Sequence, residues 1–456
     1  MVITLRNQIH LADAPPDIRS AITGQLGFLN PKWRENERMG RTNFGTPKYL
    51  RFYETAGESG LILPRGYMRP LIDQLKAAGI DWELVDRRRT LPPVEIPFIG
   101  TLKPFQERAL AELTAKEFGV LRAPTGAGKT VIALAVIAAR RQPALIVVHT
   151  RQLARQWVDR IEEFTGLSGA AVGTIGGGKT TFGDRITVAL VQSLYRRAAE
   201  AARHTGFLVV DECHRAPSRT FTEAVAAFDC RYMLGLSATP WRRDGLSSLI
   251  GWYLGTHEVR IPEDALRDRG HLIPARVIFR ETAFSPYHDP VTEYSQMLSE
   301  LTQDPARNAL IAADVAAEVA DGQTVLVLTD RRAHCEALRA ALSADHGLDP
   351  AVLTGEVGET RRQEIIDGLD AGTIHSVIAT GQLIGEGFDC RRLTTLVIAT
   401  PIRFDGRLVQ YLGRVLRPAP GKDHARVHDY VDRRVGPLLK AAQAREQVYR
   451  GAREGL

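Results

Sequence analysis

The chain has 456 residues, 44% of them hydrophobic and 25% charged, with a formal net charge of +6. This length suggests two to four domains, the apolar share is ample for buried cores, and the charged share is that of an ordinary soluble protein. Four scattered cysteines, Cys213, Cys230, Cys335 and Cys390, form no C-x-x-C pair, which argues against a zinc site or a disulfide framework and fits a reducing compartment.

The isoelectric point near 9.2 favours polyanionic partners weakly. The opening Met1–His10 is too short and polar for a signal peptide, and no apolar run approaches membrane-spanning length. The expectation is a cytoplasmic chain, nucleoid-associated if prokaryotic, with no membrane partner.

The first hundred residues carry Pro15-Pro16, Pro92-Pro93 and a basic, aromatic run: Lys32-Trp-Arg34, Arg38, Arg41, Phe44 and Lys48-Tyr-Leu-Arg-Phe-Tyr53. They read as a small separate domain over 1–97. Basic residues interleaved with aromatics suit backbone tracking plus base stacking. The alternative is a structural or partner-docking role, since some of those rings must form the domain's own core.

From Phe118 to Thr239, near-continuous apolar strands alternate with helical stretches, which predicts a parallel sheet covered on both faces. The strands are Phe118–Arg122, Ala144–Val148, Ile186–Leu190, Phe207–Val210 and Tyr232–Leu236. Between the first strand and the apolar helix Val131–Ile137 stands Ala123-Pro-Thr-Gly-Ala-Gly-Lys-Thr130. A glycine-rich loop opening a helix aims backbone N–H groups at one spot beside the positive end of the helix dipole, where phosphate binds. Pro124, Thr125, Gly126, Ala127 and Gly128 would cradle it. Lys129 would reach the β- and γ-phosphates of a nucleoside triphosphate, and Thr130 would offer its hydroxyl to Mg²⁺. ATP and Mg²⁺ are therefore the expected cofactors. A second stretch, Gly173-Thr-Ile-Gly-Gly-Gly-Lys-Thr180, matches the phosphate-loop pattern more strictly but leads into a turn and a strand. With no helix N-terminus behind it, it reads as a surface hairpin that could touch a polyanion.

Phosphoryl transfer needs a carboxylate for the metal and a base for the attacking water. Leu208-Val-Val-Asp-Glu-Cys-His214 supplies both at a strand end: Asp211 for the metal, Glu212 for the water. The strand-ending Ser237-Ala-Thr-Pro240 could hydrogen-bond to His214 and link the nucleotide to elsewhere. Upstream, Gln106 precedes the first helix of the lobe, and a glutamine amide can pair with the edge of adenine.

The pattern restarts near Ala275, with strands Thr324–Leu328, Ser376–Ala379 and Thr395–Ala399 and helices Arg331–Ala344 and Glu359–Leu369 between them. The fold class is thus α/β: two tandem parallel-sheet lobes with a small N-terminal accessory domain. The boundaries read 1–97, 98–258, 259–435 and a polar helical tail over 436–456.

Together these residues resemble a superfamily 2 helicase, across about Lys103 to Arg417. Ala123–Thr130 fits motif I of that family, Asp211-Glu-Cys-His214 motif II in its DExH form, and Ser237-Ala-Thr239 motif III. Ile378–Asp389 fits motif V, and Gln410-Tyr-Leu-Gly-Arg414-Val-Leu-Arg417 motif VI. Finer details, Ser237–Gly245 with Arg242 and Ile384–Asp389, are similar to the branch of the xeroderma pigmentosum group B helicase, the phage recombination helicase and type III restriction motor subunits. These act mainly on DNA.

The resemblance implies two RecA-like lobes with ATP in the cleft between them and nucleic acid across both. It implies arginine fingers at Arg414 and Arg417 beside Gln410, and nucleotide contacts at Gly387 and Asp389. Coupling falls to His214, Ser237 and Thr239. Phosphate contacts fall to Thr150 and Arg151 of motif Ia, Gln192 and Ser193 just before motif II, Arg242, Thr354, Gly355, Thr380 and Gly381. Thr150 could equally be only a helix cap.

The implied activity is an ATP-dependent DNA helicase or double-strand translocase, monomeric, with a repair or defence protein or a partner nuclease as a possible companion. The alternatives are an RNA helicase and a motor that remodels protein–DNA complexes or powers a nuclease without separating strands. The Gln-x-x-Gly-Arg-x-x-Arg run argues against a mere nucleotide switch, which does not need two fingers.

Overall fold

The structure, a computed structural model, describes the whole chain except residues 39, 125, 216–218, 239–245, 263–272, 382–389, 391, 402–407, 409–410, 413–421 and 454–456; of residues 38, 215, 219–221 and 450–453 it describes the backbone only. Contacts divide the chain into two units, Met1–Ala123 with Gly128–Ile261, and Pro262–Leu456 with the loop residues Pro124–Ala127.

The first unit holds two sheets. The N-terminal one orders its strands Glu54–Ala56, Gly60–Pro64, Gln8–Ala12, Val2–Leu5 and Glu83–Asp86, antiparallel except for the last pair. Alternation sets its face: Ile3, Leu5, Ile9 and Leu11 point inward and are buried. They meet Ile22 and Leu26 from the helix Pro16–Leu26 and Leu71 and Leu75 from the helix Met68–Ala77.

This layer does not stand apart from the larger sheet. Gly66 lies so close to the helix Ser248–Leu254 that a Cβ there would fall 2.1 Å from the Gly251 carbonyl oxygen. The buried Arg65 donates to the Cys230 carbonyl at 2.6 Å and to that of Phe228 at 3.3 Å. Trp252 packs among Phe28, Phe52 and Tyr67, with ring centroids 5.7–6.4 Å away. The N-terminal residues and the first α/β lobe therefore form one unit.

The larger sheet runs Lys179–Thr180, Gly173–Gly176, Ile186–Leu190, Ala144–Val148, Phe207–Val210, Tyr232–Ser237, Phe118–Arg122, Glu258–Arg260. Every pairing is parallel except the first hairpin. Ala144–Val148 and Phe207–Val210 are buried at every position, as sheets covered on both faces require. Parallel strands end on one edge, and the neighbours Phe207–Val210, Tyr232–Ser237 and Phe118–Arg122 bring their C-terminal ends together there.

The second unit has one parallel sheet, ordered Ala275–Glu281, Ala425–Val431, Thr395–Ile398, Val325–Thr329, Ser376–Thr380, Ala351–Leu353. Helices Pro305–Ala320 and Arg332–His346 pack Ile311, Val315, Leu338 and Leu342 against it. Both units are thus α/β with parallel sheets, the two tandem lobes that the sequence suggests.

The C-terminal stretch expected as a polar tail is helical over Gly436–Arg453, but it is no appendage. Leu438, Ala442, Arg445 and Tyr449 are buried. Arg445 makes two bonds of 2.7 and 2.6 Å to Asp429, and the Tyr449 hydroxyl donates to the same carboxylate at 2.7 Å. The helix looks polar in sequence because it carries the cation for a buried carboxylate on Ala425–Val431.

Candidate active site

The site begins where the strand Phe118–Arg122 gives way to the helix Lys129–Arg140. Gly126 and Gly128 adopt φ of 92° and 77°, a left-handed backbone that glycine takes at little cost. Gly128 occupies the N-cap, so no side chain caps this helix, and its N-terminus opens directly from the glycine loop. The loop is tied to the neighbouring strand by the Ala123 N–H on the Ser237 carbonyl at 3.0 Å. Lys129 Nζ donates to the Ala123 carbonyl at 3.0 Å, which holds the ammonium over the loop.

Gln106 closes one side. Its Oε1 accepts from the Lys103 N–H at 2.9 Å and so caps the helix Pro104–Thr114. Its Nε2 lies 2.4 Å from where a Cβ on Gly128 would stand. The glutamine is buried, locked between a helix start and the phosphate loop.

Asp211 follows the strand Phe207–Val210 and is only 8% exposed. Its Oδ2 accepts the Trp157 indole N–H at 2.8 Å and its Oδ1 the Glu212 N–H at 2.9 Å. Burial first, and then the charge of Glu212, push its pKa up to about 6, against the opposing pull of Trp157 and Lys129. A buried carboxylate raised in this way is relieved by a cation. Glu212 has φ of 48°, uncommon for a residue with a side chain; backbone strain of this kind concentrates at functional sites.

His214 joins the acidic turn to the next strand. Its Nδ1 lies 3.2 Å from Glu212 Oε2 and 3.0 Å from Ser237 Oγ. The structure thus brings Lys129, Asp211, Glu212, His214 and Ser237 to one sheet edge. Thr130 stands in the first turn of the loop's helix.

Trp157 is a partner of the candidate site that sequence reasoning missed. It lies on the helix Arg151–Thr165, one turn before Ile161, and both are buried. The spacing reads as core, yet a buried indole N–H needs an acceptor, and the carboxylate at the next strand end is the acceptor it finds.

The Gly173–Thr180 stretch forms a tight hairpin with Gly177 and Gly178 at φ of 60° and 83°. That pair of positive φ values suits a two-residue turn and leads into no helix. With Gln192, Ser193, Arg196 and Arg197, the hairpin lines a cleft of about 670 Å³. Thr150 caps the helix Arg151–Thr165 through its Oγ1, which accepts from the Leu153 N–H at 3.2 Å, and Arg151 is exposed. In the second unit Thr354 is buried and accepts the Val357 N–H on its carbonyl at 3.0 Å, while Gly355 is exposed. Thr380 ends the strand Ser376–Thr380, and the Gly381 carbonyl accepts from the Tyr411 hydroxyl at 2.6 Å. Thr125, Thr239, Arg242, Gly387, Asp389, Gln410, Arg414 and Arg417 lie outside the described residues.

Comparison with known proteins places this geometry. Residues 99–242 match the family model described as type III restriction enzyme, res subunit, and residues 306–419 match that of the helicase conserved C-terminal domain. Putative helicase 055L of Frog virus 3 is 30% identical over 361 residues, covering 76% of this chain and 77% of that one. The chain belongs to the superfamily 2 helicases of the DExH type. Probable helicase D10 of Escherichia phage T5 is 27% identical, covering 89% and 87% of the two chains. The DNA 3'-5' translocase XPB2 of Sulfurisphaera tokodaii is 32% identical over 225 residues, which span 45% of this helicase and 49% of that relative. By family this helicase is an ATP hydrolase. Among its described residues, no helix is long and apolar enough to cross a membrane.

Proposed function

We propose that this helicase couples ATP hydrolysis to movement along DNA, and that the edge carrying Lys129, Asp211 and Glu212 is where the nucleotide is cleaved. The observation that carries the reading is the convergence of loop and carboxylates, with His214 within hydrogen-bond distance of Ser237, since a site meant only to hold nucleotide needs no such link. The DNA preference rests on the printed name of the archaeal relative.

The residues present suit a divalent metal with the triphosphate. A raised, buried Asp211 carboxylate and the Thr130 hydroxyl are hard oxygen donors of the kind Mg²⁺ takes. Bound there, Mg²⁺ would neutralise charge on the phosphate oxygens. The loop N–H groups and Lys129 bind and orient the β- and γ-phosphates, with Lys129 exchanging the Ala123 carbonyl for phosphate oxygen. Glu212 holds the attacking water and takes its proton. Trp157 fixes the Asp211 carboxylate. We assign Arg414 and Arg417, on the resemblance, to stabilising charge on the γ-phosphate. Thr150, Arg151, Gln192, Ser193, Thr354 and Thr380 suit contacts to the sugar–phosphate backbone, which carry no sequence information; that is what a motor indifferent to sequence requires.

A strand-displacement assay beside a triplex-displacement assay tests the reading. Activity in both supports a helicase. Triplex displacement alone marks a translocase that does not separate strands. Neither, together with ATP turnover that responds to RNA and not DNA, overturns it.

A further inference from the structure

The basic, aromatic run near the N-terminus divides into two sets. Phe52 and Tyr53 pack against the N-terminal core, and Phe52 also stacks on Phe28 at 5.8 Å. These rings are structural. Phe44 and Tyr49 are not: they are 95% and 58% exposed.

Phe44 is held out by a built turn. The Thr46 N–H closes on the Asn43 carbonyl at 2.9 Å, which places Phe44 at the first central position and Gly45, with φ of 72°, at the second. That is the arrangement of a type II turn, whose second central position favours glycine. Asn43 anchors the turn to the helix Pro31–Arg38: its side chain accepts from Asn36 Nδ2 at 2.9 Å and donates to the Trp33 carbonyl at 3.3 Å. The Phe44 N–H bonds to the Thr42 hydroxyl at 3.2 Å. Asn30 closes the far side, its N–H and its amide donating to the Lys48 and Pro47 carbonyls, both at 2.9 Å. A loop that only had to connect two strands would not need this bracing to keep a phenyl ring in water.

Tyr49 opens the strand Tyr49–Arg51, which pairs antiparallel with Gly27–Leu29. Tyr49 and Arg51 are two apart, so they share the outward face of this ribbon, and both are exposed. Around the two rings the charge is one-sided: residues 31–51 hold six lysines and arginines against two glutamates. Lys32, Arg34, Arg41, Lys48 and Arg51 are all exposed.

We infer that Phe44 and Tyr49 form a stacking site for bases whose faces are open: unpaired nucleotides, or the last base pair where a duplex ends or forks. Aromatic rings bind bases through their π-faces, and every base within a duplex already has both faces covered. The flanking basic side chains supply the backbone attraction, which alone does not distinguish duplex from single strand. The first unit therefore carries a sensor for junctions on a layer fixed to the lobe through Arg65, Gly66 and Trp252. The inference rests on the proposed function, because it takes nucleic acid as the substrate.

The test uses the full chain and three fluorescent DNAs: a blunt duplex, a single strand and a fork with 2-aminopurine at the junction. Phe44→Ala with Tyr49→Ala is expected to weaken single-strand and fork binding about tenfold or more, to change internal duplex binding less than twofold, and to abolish the change in 2-aminopurine fluorescence. Lys48→Ala is expected to weaken all three together and to lessen their salt dependence. Both rings are exposed, so ATP turnover without DNA and the thermal unfolding midpoint should stay close to wild-type values. Equal affinities of wild type and double variant for fork and single strand would overturn the inference. Failure of the wild-type chain to bind any of the three DNAs would instead contradict the proposed function.

Discussion

The imidazole of His214 lies 3.0 Å from the hydroxyl of Ser237, with Glu212 3.2 Å away on the same nitrogen. Two strand ends are joined by one ring: the one that carries the proposed catalytic base, and the one whose carbonyl also holds the Ala123 N–H of the phosphate loop. A shift of either strand end is felt by the other through contacts of hydrogen-bond length.

Ser237→Ala is expected to leave ATP binding intact and basal hydrolysis within about fivefold, since the lost neutral hydrogen bond contributes roughly 1 kcal/mol. Stimulation by DNA should fall much further. Steady-state ATP turnover with and without DNA measures both, and parallel losses in the two would show that Ser237 acts in hydrolysis rather than in coupling.

Gly128 cannot take a side chain without disturbing two things at once. Its φ of 77° costs an ordinary residue about 1–2 kcal/mol, and its Cβ would stand 2.4 Å from Gln106 Nε2. Gly128→Ala should therefore weaken nucleotide binding about tenfold or more. Equilibrium binding of a fluorescent ATP analogue reads this; an unchanged Kd for Gly128→Ala would mean that the loop does not hold phosphate in the geometry described.

Arg445 and Asp429 form a buried, doubly bonded pair beneath the last helix. Removing one member leaves the other charge buried without its partner, at a cost of about 3–5 kcal/mol. The five tryptophans, at 33, 82, 157, 241 and 252, all precede the second unit. Arg445→Ala is thus expected to lower a urea transition seen by far-ultraviolet circular dichroism while the tryptophan transition stays in place. Coincident shifts of both signals would show that the two units do not unfold separately.

His428 sits on the strand Ala425–Val431, with Nε2 2.9 Å from Glu318 and Nδ1 3.7 Å from Asp314. Burial alone would lower its pKa, but the two carboxylates outweigh burial and hold it above the ordinary imidazole value. The carboxylates also face Arg426, which pairs with Glu318, and Arg280 and Tyr430, which bond to Asp314. A raised folded pKa means stability that is full below the unfolded value of about 6.5 and is lost as pH rises through the folded value. Burial would raise the pKa values of Asp314 and Glu318, yet their hydrogen bonds hold both low, so their contribution is lost at the acid end instead. His428→Gln should flatten the fall in stability of the second unit as pH rises above about 6.5. Thermal unfolding by circular dichroism across that range checks it, and an unchanged slope would contradict the assignment.

The apolar strands of both lobes were legible in the sequence because they are buried on both faces and read as unbroken hydrophobic runs; Ala144–Val148 and Phe207–Val210 emerge with the expected ends. The phosphate loop and the acidic turn were legible because their chemistry demands a few residue types at fixed spacing. Ala425–Val431 was not, since a central strand containing Arg426, His428 and Asp429 looks like a loop until Glu318, Asp314 and Arg445 arrive from distant helices to satisfy it. Trp157 was hidden in the same way: its partner Asp211 lies 54 residues along the chain. The basic, aromatic run could not be sorted into core and surface from sequence alone, because Phe44 and Phe52 differ only in what folds against them.

ATP turnover of the intact chain, measured alone, with DNA and with RNA, and repeated for Glu212→Gln, tests the central claim most directly. The account predicts stimulation by DNA and little by RNA, and a Glu212→Gln protein that binds ATP with near-normal affinity yet turns it over at least a hundredfold more slowly, the loss of a general base. Turnover indifferent to DNA, or near-normal turnover in Glu212→Gln, would contradict it.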